Sequence, residues 1–402
     1  MLRLRLSLML LLVLTTGTMS AQTRPVVGLR VLDLGGTAIQ RGEQHGRVLK
    51  QEIHSLVRKW KDHLRQTYEV EPTEFIERFV ARTNFEPAID KWTPGLLDEV
   101  RGIARGAEID FDTIYVFNLI DEVWAQGRQV LVEKCTTIGV DRRGSQPTVV
   151  AQNLDLPVFY HGTTVVLRIT DESGFQTLVT TLPGLVGANG MNRARVAVTV
   201  NSLLQLRPCR DGLPVAFVVR GVLQKKTWWE ARQFLYRVKH ASGQNYIVGG
   251  PDVAHSFECS AGRVVRYQPF EGAQHTWHTN HPLRNQDWHP DFLKRAKQRG
   301  KTPSQAIAPC PRFEELARRL RAAPRVGVPE VLAGLASKDA SAPICNKSTF
   351  ACTIFLLGRQ PRMRVSAGGS ADHQFTDLEF PARPVPRRGP EKPPKDGEVD
   401  RG

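Results

Sequence analysis

The sequence predicts an α+β fold, sheet packed against sheet with helices outside. Two observations carry this. Before Cys135, apolar residues recur at helical spacing. From Cys135 onward, short β-branched or aromatic runs bounded by Gly, Pro or Asp dominate, with helices inserted between them.

The elements follow in order. Residues 25–34 (PVVGLRVLDL) read as a strand, and Gly35-Gly36-Thr37 as a turn. Arg41 to Leu64 has helical spacing through Val48, Ile53, Leu56, Val57, Trp60 and Leu64. Gly42 and Gly46 share one face of that helix, where their small size admits a second backbone at a cost of about 1 kcal/mol each in propensity. Residues 72–134 continue helical, with amphipathic stretches at Pro94–Ala107 and Asp112–Trp124. Cys135 opens a strand. Further runs lie at Thr148–Gln152, Thr163–Thr170, Phe175–Leu182, Arg195–Val200, Tyr246–Val248, Ser256–Cys259 and Arg263–Tyr267. Helices are expected near 213–239 and 311–336, and a hairpin from Thr353–Leu357 through a turn to Met363–Ala367.

Both ends read as something other than fold. Arg3 and Arg5 precede an apolar run, Leu6 to Leu14, that is too short to span a bilayer of ~30 Å as a helix. Small polar residues follow up to Ala21, so residues 1–21 are expected to be a secretory signal and the protein secreted or periplasmic. No later run is apolar for 18 residues, which argues against stable membrane insertion. Residues 383–402 are Pro-rich, charged and nearly devoid of apolar side chains, the composition of a disordered tail.

The chain of 402 residues is 41% hydrophobic and 24% charged, which excludes collagen, coiled coil and multi-span membrane proteins. Its formal charge is +15, or +13 once a leader with Arg3 and Arg5 is removed. A basic surface favours anionic partners without selecting one. The six cysteines (Cys135, Cys209, Cys259, Cys310, Cys345, Cys352) contain no CxxC pair, so a zinc ribbon is not expected, and their spacing fixes no disulfide connectivity.

Cys135 stands at the boundary between the helical and strand-rich regions. Small polar residues after it, Thr136-Thr137, suggest a sulfur at a sheet edge. A buried, inert thiol is the commonest state of a free cysteine, and spacing alone leaves that reading open.

Several segments in order bear on the choice. They are Cys135-Thr136-Thr137; Ala151-Gln152-Asn153-Leu154-Asp155; Gly36-Thr37 through Gly42 and Gly46; Leu97 to Asn118; and Gly184 to Gly187 with Gly190-Met191-Asn192. Val196 to Val198, Asn201 to Leu203, His278-Thr279-Asn280-His281 and Ile344-Cys345 complete the set. Together these resemble the isopenicillin N acyltransferase family, the acyl-coenzyme A:6-aminopenicillanic acid acyltransferase-like, autoproteolytic cysteine Ntn hydrolases.

The resemblance implies a four-layer αββα Ntn-hydrolase sandwich made as a precursor. It implies cleavage between Lys134 and Cys135, an α chain of 22–134, and a catalytic β chain of 135–382 that stays associated with it. By the same resemblance Cys135 is the nucleophile, Asn280 the oxyanion donor, and Asp155 the group that orients the new amino terminus. Asn153, Asn192 and Asn201 fall in matching segments and become secondary candidates for substrate binding, with turn or backbone-bridging roles favoured.

The chemistry has a reason for each part. A thiol of pKa ~8.5 needs a base. The freed α-amino group, of pKa ~7.7–8.0, is near neutral and beside its own sulfur. A thioester intermediate splits one hard step into two. Every role is filled by protein groups, so no cofactor is implied.

The chain departs from the family pattern in three places. Leu154 replaces a common Trp, Lys134 stands before the cysteine in place of Gly, and no arginine occurs between Cys345 and Arg359. Lys347 is the candidate to supply that charge.

Other signals are weighed and set aside. His275, His278 and His281 are three apart, which switches faces on a strand and turns roughly 300° per step on a helix, so metal ligation is not expected. The basic run 224–240 with Trp228-Trp229 fits an amphipathic core helix, Trp229, Ala231, Phe234 and Val238 inward, better than a nucleic-acid surface. Asn346-Lys347-Ser348 fits a glycosylation sequon.

The expected function is a self-processing cysteine amidohydrolase or acyltransferase acting on small-molecule N-acyl amides or thioesters. The alternatives are a lipid or bile-salt-type amidase of a related Ntn family, or an inactive secreted binding protein with the same fold.

Overall fold

The computed structural model describes residues 29–126, 135–372 and 374–381. The expected leader, Lys134 and the expected tail lie outside the described residues. No helix among the described residues is long and apolar enough to cross a membrane.

The N-terminal part runs β1 (Leu29–Gly35), α1 (Ala38–Val48), α2 (Lys50–Tyr68), α3 (Pro72–Ala81), α4 (Glu86–Trp92), α5 (Leu96–Ala107), α6 (Phe111–Phe117) and α7 (Ile120–Gln126). From Cys135 follow β2 (Thr136–Val140), β3 (Val149–Asp155), β4 (Thr164–Thr170), β5 (Gln176–Thr181), β6 (Asn189–Asn192) and β7 (Ala197–Ser202). Helices α8 (Val215–Leu223) and α9 (Trp228–Arg237) come next, then β8 (Gln244–Gly249), β9 (Ala254–Cys259), β10 (Val264–Tyr267) and β11 (His275–His278). The chain ends with α10 (Pro290–Gln298), α11 (Pro303–Ala306), α12 (Pro311–Ala322), α13 (Val328–Leu335), β12 (Thr349–Leu356), β13 (Arg362–Ser366) and β14 (Thr376–Glu379).

Two sheets result, an eight-stranded one ordered β1-β4-β5-β6-β7-β8-β9-β10 and a six-stranded one ordered β11-β2-β3-β12-β13-β14. The period of two along each strand sorts its side chains into layers. On β3, Val149 and Ala151 face the α12–α13 layer with Leu316, Leu320, Val331 and Leu335, while Val150 faces the other sheet. On β4, Val165, Leu167 and Ile169 join the helical N-terminal core, while Val166 meets Met191, Phe355 and Met363 between the sheets. The order is therefore helix, sheet, sheet, helix: the expected four-layer αββα sandwich.

The glycine stripe on α1 works as read. A methyl group at Gly42 would collide with the Glu99 carbonyl of α5, and one at Gly102 with the Ile39 carbonyl, so the two helices pack backbone to backbone. Next to this seam Glu99 is buried between Arg41 and Arg220; Arg220 Nη1 is 2.5 Å and Arg41 Nη2 3.1 Å from its carboxylate. Burial would raise the Glu99 carboxyl, but the two guanidinium groups outweigh it and hold the carboxyl below its ordinary range.

Three expected helices are each divided. Leu49 leaves helical geometry between α1 and α2 (φ −107°, ψ 23°). A Thr227 capping box restarts the chain at α9. Pro324 and Gly327 separate α12 from α13. Trp229 is not a core residue: it is 58% exposed, with Arg232 over its ring, and the buried face is Ala231, Phe234, Leu235 and Val238. Its neighbour Trp228 instead donates its indole N–H to the Val248 carbonyl at 3.1 Å.

Candidate active site

Antiparallel pairing gathers the site at one end of the six-stranded sheet. Cys135 immediately precedes β2, an inner strand flanked by β3 and β11. The registers Thr136↔Asn153 and Thr137↔His278 bring the start of β2 beside the ends of both neighbours. Asp155 closes β3, and Asn280 lies two residues past β11, so both arrive next to Cys135. The sulfur is buried rather than set at an exposed sheet edge, with Cys135 only 6% exposed. Its Sγ stands 4.0 Å from the Asp155 carbonyl oxygen. The Asp155 carboxylate is fully buried and accepts from Asn346 Nδ2 at 3.0 Å. The sequon asparagine is thus committed to an internal contact.

Arg312 joins these parts. It is the second residue of α12, and 7% exposed. Its Nη1 donates to the Cys135 carbonyl (3.0 Å) and to Thr136 Oγ1 (2.6 Å), and its Nη2 donates to Asn280 Oδ1 (3.2 Å). Asn280 Nδ2 donates to the Ser202 carbonyl at 3.2 Å. The amide plane of Asn280 is therefore fixed from both ends, and no acceptor among the described residues takes its second N–H. Lys347, expected to replace the missing arginine, lies exposed on the wall of the neighbouring cleft; the guanidinium bonded to Cys135 belongs to Arg312. The signal was present in the sequence, because Arg312, Leu316 and Leu320 lie four apart on one buried stripe.

The loop after β11 is held by a buried pair. His278 Nε2 and Glu258 Oε1 are 2.8 Å apart, and Glu258 also accepts the backbone N–H groups of Leu283, Arg284 and Asn285 at 2.6–2.8 Å. Burial alone would raise the Glu258 carboxyl, but these donors hold it below its usual value. Both His278 nitrogens are engaged, Nδ1 with the Thr279 carbonyl at 2.8 Å. Among the described residues no group of three or more His, Cys, Asp or Glu is placed to hold a metal ion.

A second thiol stands on the cleft wall. Cys310 lies 3.3 Å from Thr279 Oγ1, which is 3.1 Å from His281 Nδ1. Burial pushes this thiol up, yet the His281 hydrogen bond, the Arg312 charge and Thr279 bring it down to about 6. No two of the six cysteines form a disulfide.

Two cavities meet here. A cleft of about 970 Å³ is walled by Asn280, Arg312, Cys310, Asn346 and Lys347 together with apolar residues of 307–311 and 342–343. A slot of about 50 Å³ is lined by Cys135, Leu154, Leu156, Leu182, Leu185 and Val200, among others. Trp124 and Ser202 line both, and so frame the passage between them. The slot wall at 182–187 is anchored from the helical layer. Asn118 Nδ2 donates to Gly184 O (2.9 Å), Asn118 Oδ1 accepts from Val186 N (2.8 Å), and His45 Nε2 accepts from Gly184 N (2.9 Å).

Cys135, Asp155 and Asn280 are thus brought together, and the three other asparagines are not at the cavities. Asn153 Nδ2 donates to the Leu335 and Ile344 carbonyls, and Asn192 Nδ2 donates to the Leu223 and Lys225 carbonyls at the end of α8. Asn201 Oδ1 accepts from Thr137 Oγ1 and Asn245 Nδ2 between the sheets. Asn153 and Asn192 bridge backbone carbonyls, whereas Asn201 contacts side chains between the sheets rather than a turn or the backbone.

Residues 142–324 match the model of the acyl-coenzyme A:6-aminopenicillanic acid acyl-transferase family. Asp155, Asn280 and Arg312 fall inside the match; Cys135 lies seven residues before it. A curated relative, the 40 kDa form of acyl-coenzyme A:6-aminopenicillanic-acid-acyltransferase of Emericella nidulans, is 29% identical over 199 residues, 48% of this chain. The match spans about half, 54%, of that relative. Among solved structures, a mutant conjugated bile acid hydrolase from Clostridium perfringens is 10% identical with a TM-score of 0.39, covering 61% of this chain and 92% of that one. Penicillin V acylase from Agrobacterium tumefaciens is 14% identical with a TM-score of 0.34, covering 58% and 83%.

Proposed function

We propose that this protein is an exported, self-processing cysteine amidohydrolase or acyltransferase that works through an acyl-Cys135 intermediate. The observation that carries the reading is the fork of Arg312, which ties the Cys135 backbone to the Asn280 amide at the junction of slot and cleft.

In this reading the Lys134–Cys135 bond is cut, and the new α-amino group takes the proton from its own thiol. The thiolate attacks an acyl carbonyl, and the oxyanion is received by the free N–H of Asn280 with the Arg312 charge behind it. Losing such a donor typically costs ~10²–10³ in rate. Asp155, at the end of β3, orients the ammonium or amine of the new terminus. The acyl part occupies the apolar slot and the leaving amine the wider cleft. Water completes hydrolysis; an amine completes transfer. The two chains of the processed form stay together. The absence of an arginine after Ile344-Cys345 favours an inert binding protein with the same fold; the Arg312 guanidinium bonded to the Cys135 carbonyl supports the enzyme reading.

The test is intact mass and N-terminal sequencing of the purified protein beside Cys135→Ala. Two chains, one beginning at Cys135, that merge into one in the variant support the proposal. A single unprocessed chain that turns over no acyl amide sinks it.

A further inference from the structure

The slot beside Cys135 holds one carboxyl in otherwise mostly apolar walls, that of Asp121. Asp121 and Trp124 are three residues apart on α7, so both project from one face, and both line the slot. Asp121 Oδ1 accepts from Ser202 Oγ (3.0 Å) and Gln244 Nε2 (3.3 Å). Among the described residues no donor reaches its Oδ2. The adjacent Glu122 does not line the slot: its Oε1 accepts from Val215 N (3.1 Å) and Ser242 Oγ (2.8 Å), and its Oε2 is buried with no partner among the described residues. Burial raises both carboxyls above their ordinary range, and the proximity of Asp121 raises Glu122 further, so negative charge here is disfavoured.

Asp121 is half-buried, and an oxygen open in a mostly apolar slot is available to a ligand that brings a hydrogen-bond donor. The mechanism above does not use it. We infer that Asp121 is a specificity-determining residue whose free oxygen receives a hydroxyl on the acyl chain, so that the protein selects short, hydroxyl-bearing acyl groups over plain alkyl ones. The small volume of the slot sets the shortness. A hydroxyl suits the site better than an ammonium, because the apolar walls disfavour burying a charge. The inference rests on the acyl-Cys135 reading.

The test uses the mature protein with the p-nitroanilides of butyric, 2-hydroxybutyric, 3-hydroxybutyric and phenylacetic acids. It reads kcat/KM together with the mass of quenched protein, which reports acylation of Cys135. One hydroxybutyryl substrate should exceed butyryl by about tenfold to a hundredfold, since a site built around a substrate hydroxyl rejects the analogue lacking it. Asp121→Asn keeps an acceptor and should keep the preference; Asp121→Leu should reverse it. Acylation of Cys135 with no hydroxyl preference, or a preference unchanged in folded Asp121→Leu, overturns the inference alone. Absence of acylation by every substrate overturns the acyl-Cys135 reading and this inference with it.

Discussion

Replacing Arg312 by lysine keeps the positive charge and removes the fork. Nη1 holds the Cys135 carbonyl and Thr136 Oγ1, and Nη2 holds Asn280 Oδ1 from the other side. A single ammonium nitrogen on a flexible stem cannot span both sets of acceptors. Left with only its bond to Ser202 O, the Asn280 amide loses the contact that fixes its plane. In the proposed acyl-Cys135 reading, misplacing the Asn280 amide costs close to the loss of one oxyanion donor, ~2.7–4 kcal/mol or about 10²–10³ in rate. Folding suffers less, by the net worth of one or two charged hydrogen bonds at about 1.5–3 kcal/mol each, in part retained by the ammonium. The assay is single-turnover acylation of Cys135 followed by quenched mass, beside a thermal melt. Arg312→Lys should slow acylation by about a hundredfold while remaining folded at the assay temperature. Acylation within threefold of the parent rate would refute the fork argument, because charge alone would then suffice.

Other outcomes follow from the same geometry. Glu99→Gln leaves two buried guanidinium groups without their counter-charge and should cost about 3–5 kcal/mol in urea unfolding. The Glu99 carboxyl is held below its unfolded value, so its contribution is present above that value and lost as pH falls through it; Glu99→Gln should therefore flatten the acid limb of the stability curve. Burial pushes His45 and His240 down to about 4 from 6.5, so the unfolded chain binds protons that the fold does not; stability should fall as pH drops from 6.5 toward 4, by about 2 kcal/mol per histidine at pH 5. Urea midpoints that are equal at pH 7 and pH 5 would contradict this. Cys310 should be alkylated by iodoacetamide with a half-maximal rate near pH 6, ahead of Cys209, whose thiol burial pushes up; His281→Ala should move the Cys310 midpoint upward. Equal labelling of both cysteines at pH 7 would count against the His281 contact.

Layering was legible in the sequence because it follows from periodicity. The alternation of Val149, Val150 and Ala151 directs β3 to two different cores, and the spacing of Gly42 and Gly46 marks the α1–α5 seam. Breaks inside helices were less legible. Leu49 interrupts α1 and α2 with no Gly or Pro to announce it, and Trp229 has the spacing of a core residue while facing solvent. At the site, Cys135, Asp155 and Asn280 could be named because they occupy short local motifs. Arg312 reaches them from a separate helix 32 residues past Asn280, and only the fold brings its guanidinium to Cys135. Asp121 belongs to no motif in the sequence; β7 and β8 bring Ser202 and Gln244 against it.

The seam between the helical part and the rest has a bearing on what a severed backbone could do. Leu29–Gly35 is a full edge strand of the larger sheet, laddered in parallel to Thr164–Thr170, and Glu99 and Asn118 reach across to Arg220, Gly184 and Val186. Were the polypeptide opened ahead of Cys135, the two fragments would still share one hydrogen-bonded sheet, one apolar interior and one enclosed ion cluster. Prising them apart would mean unzipping a strand and stranding charge in an oily interior, so such a nick would behave as a change of chain ends inside an intact body.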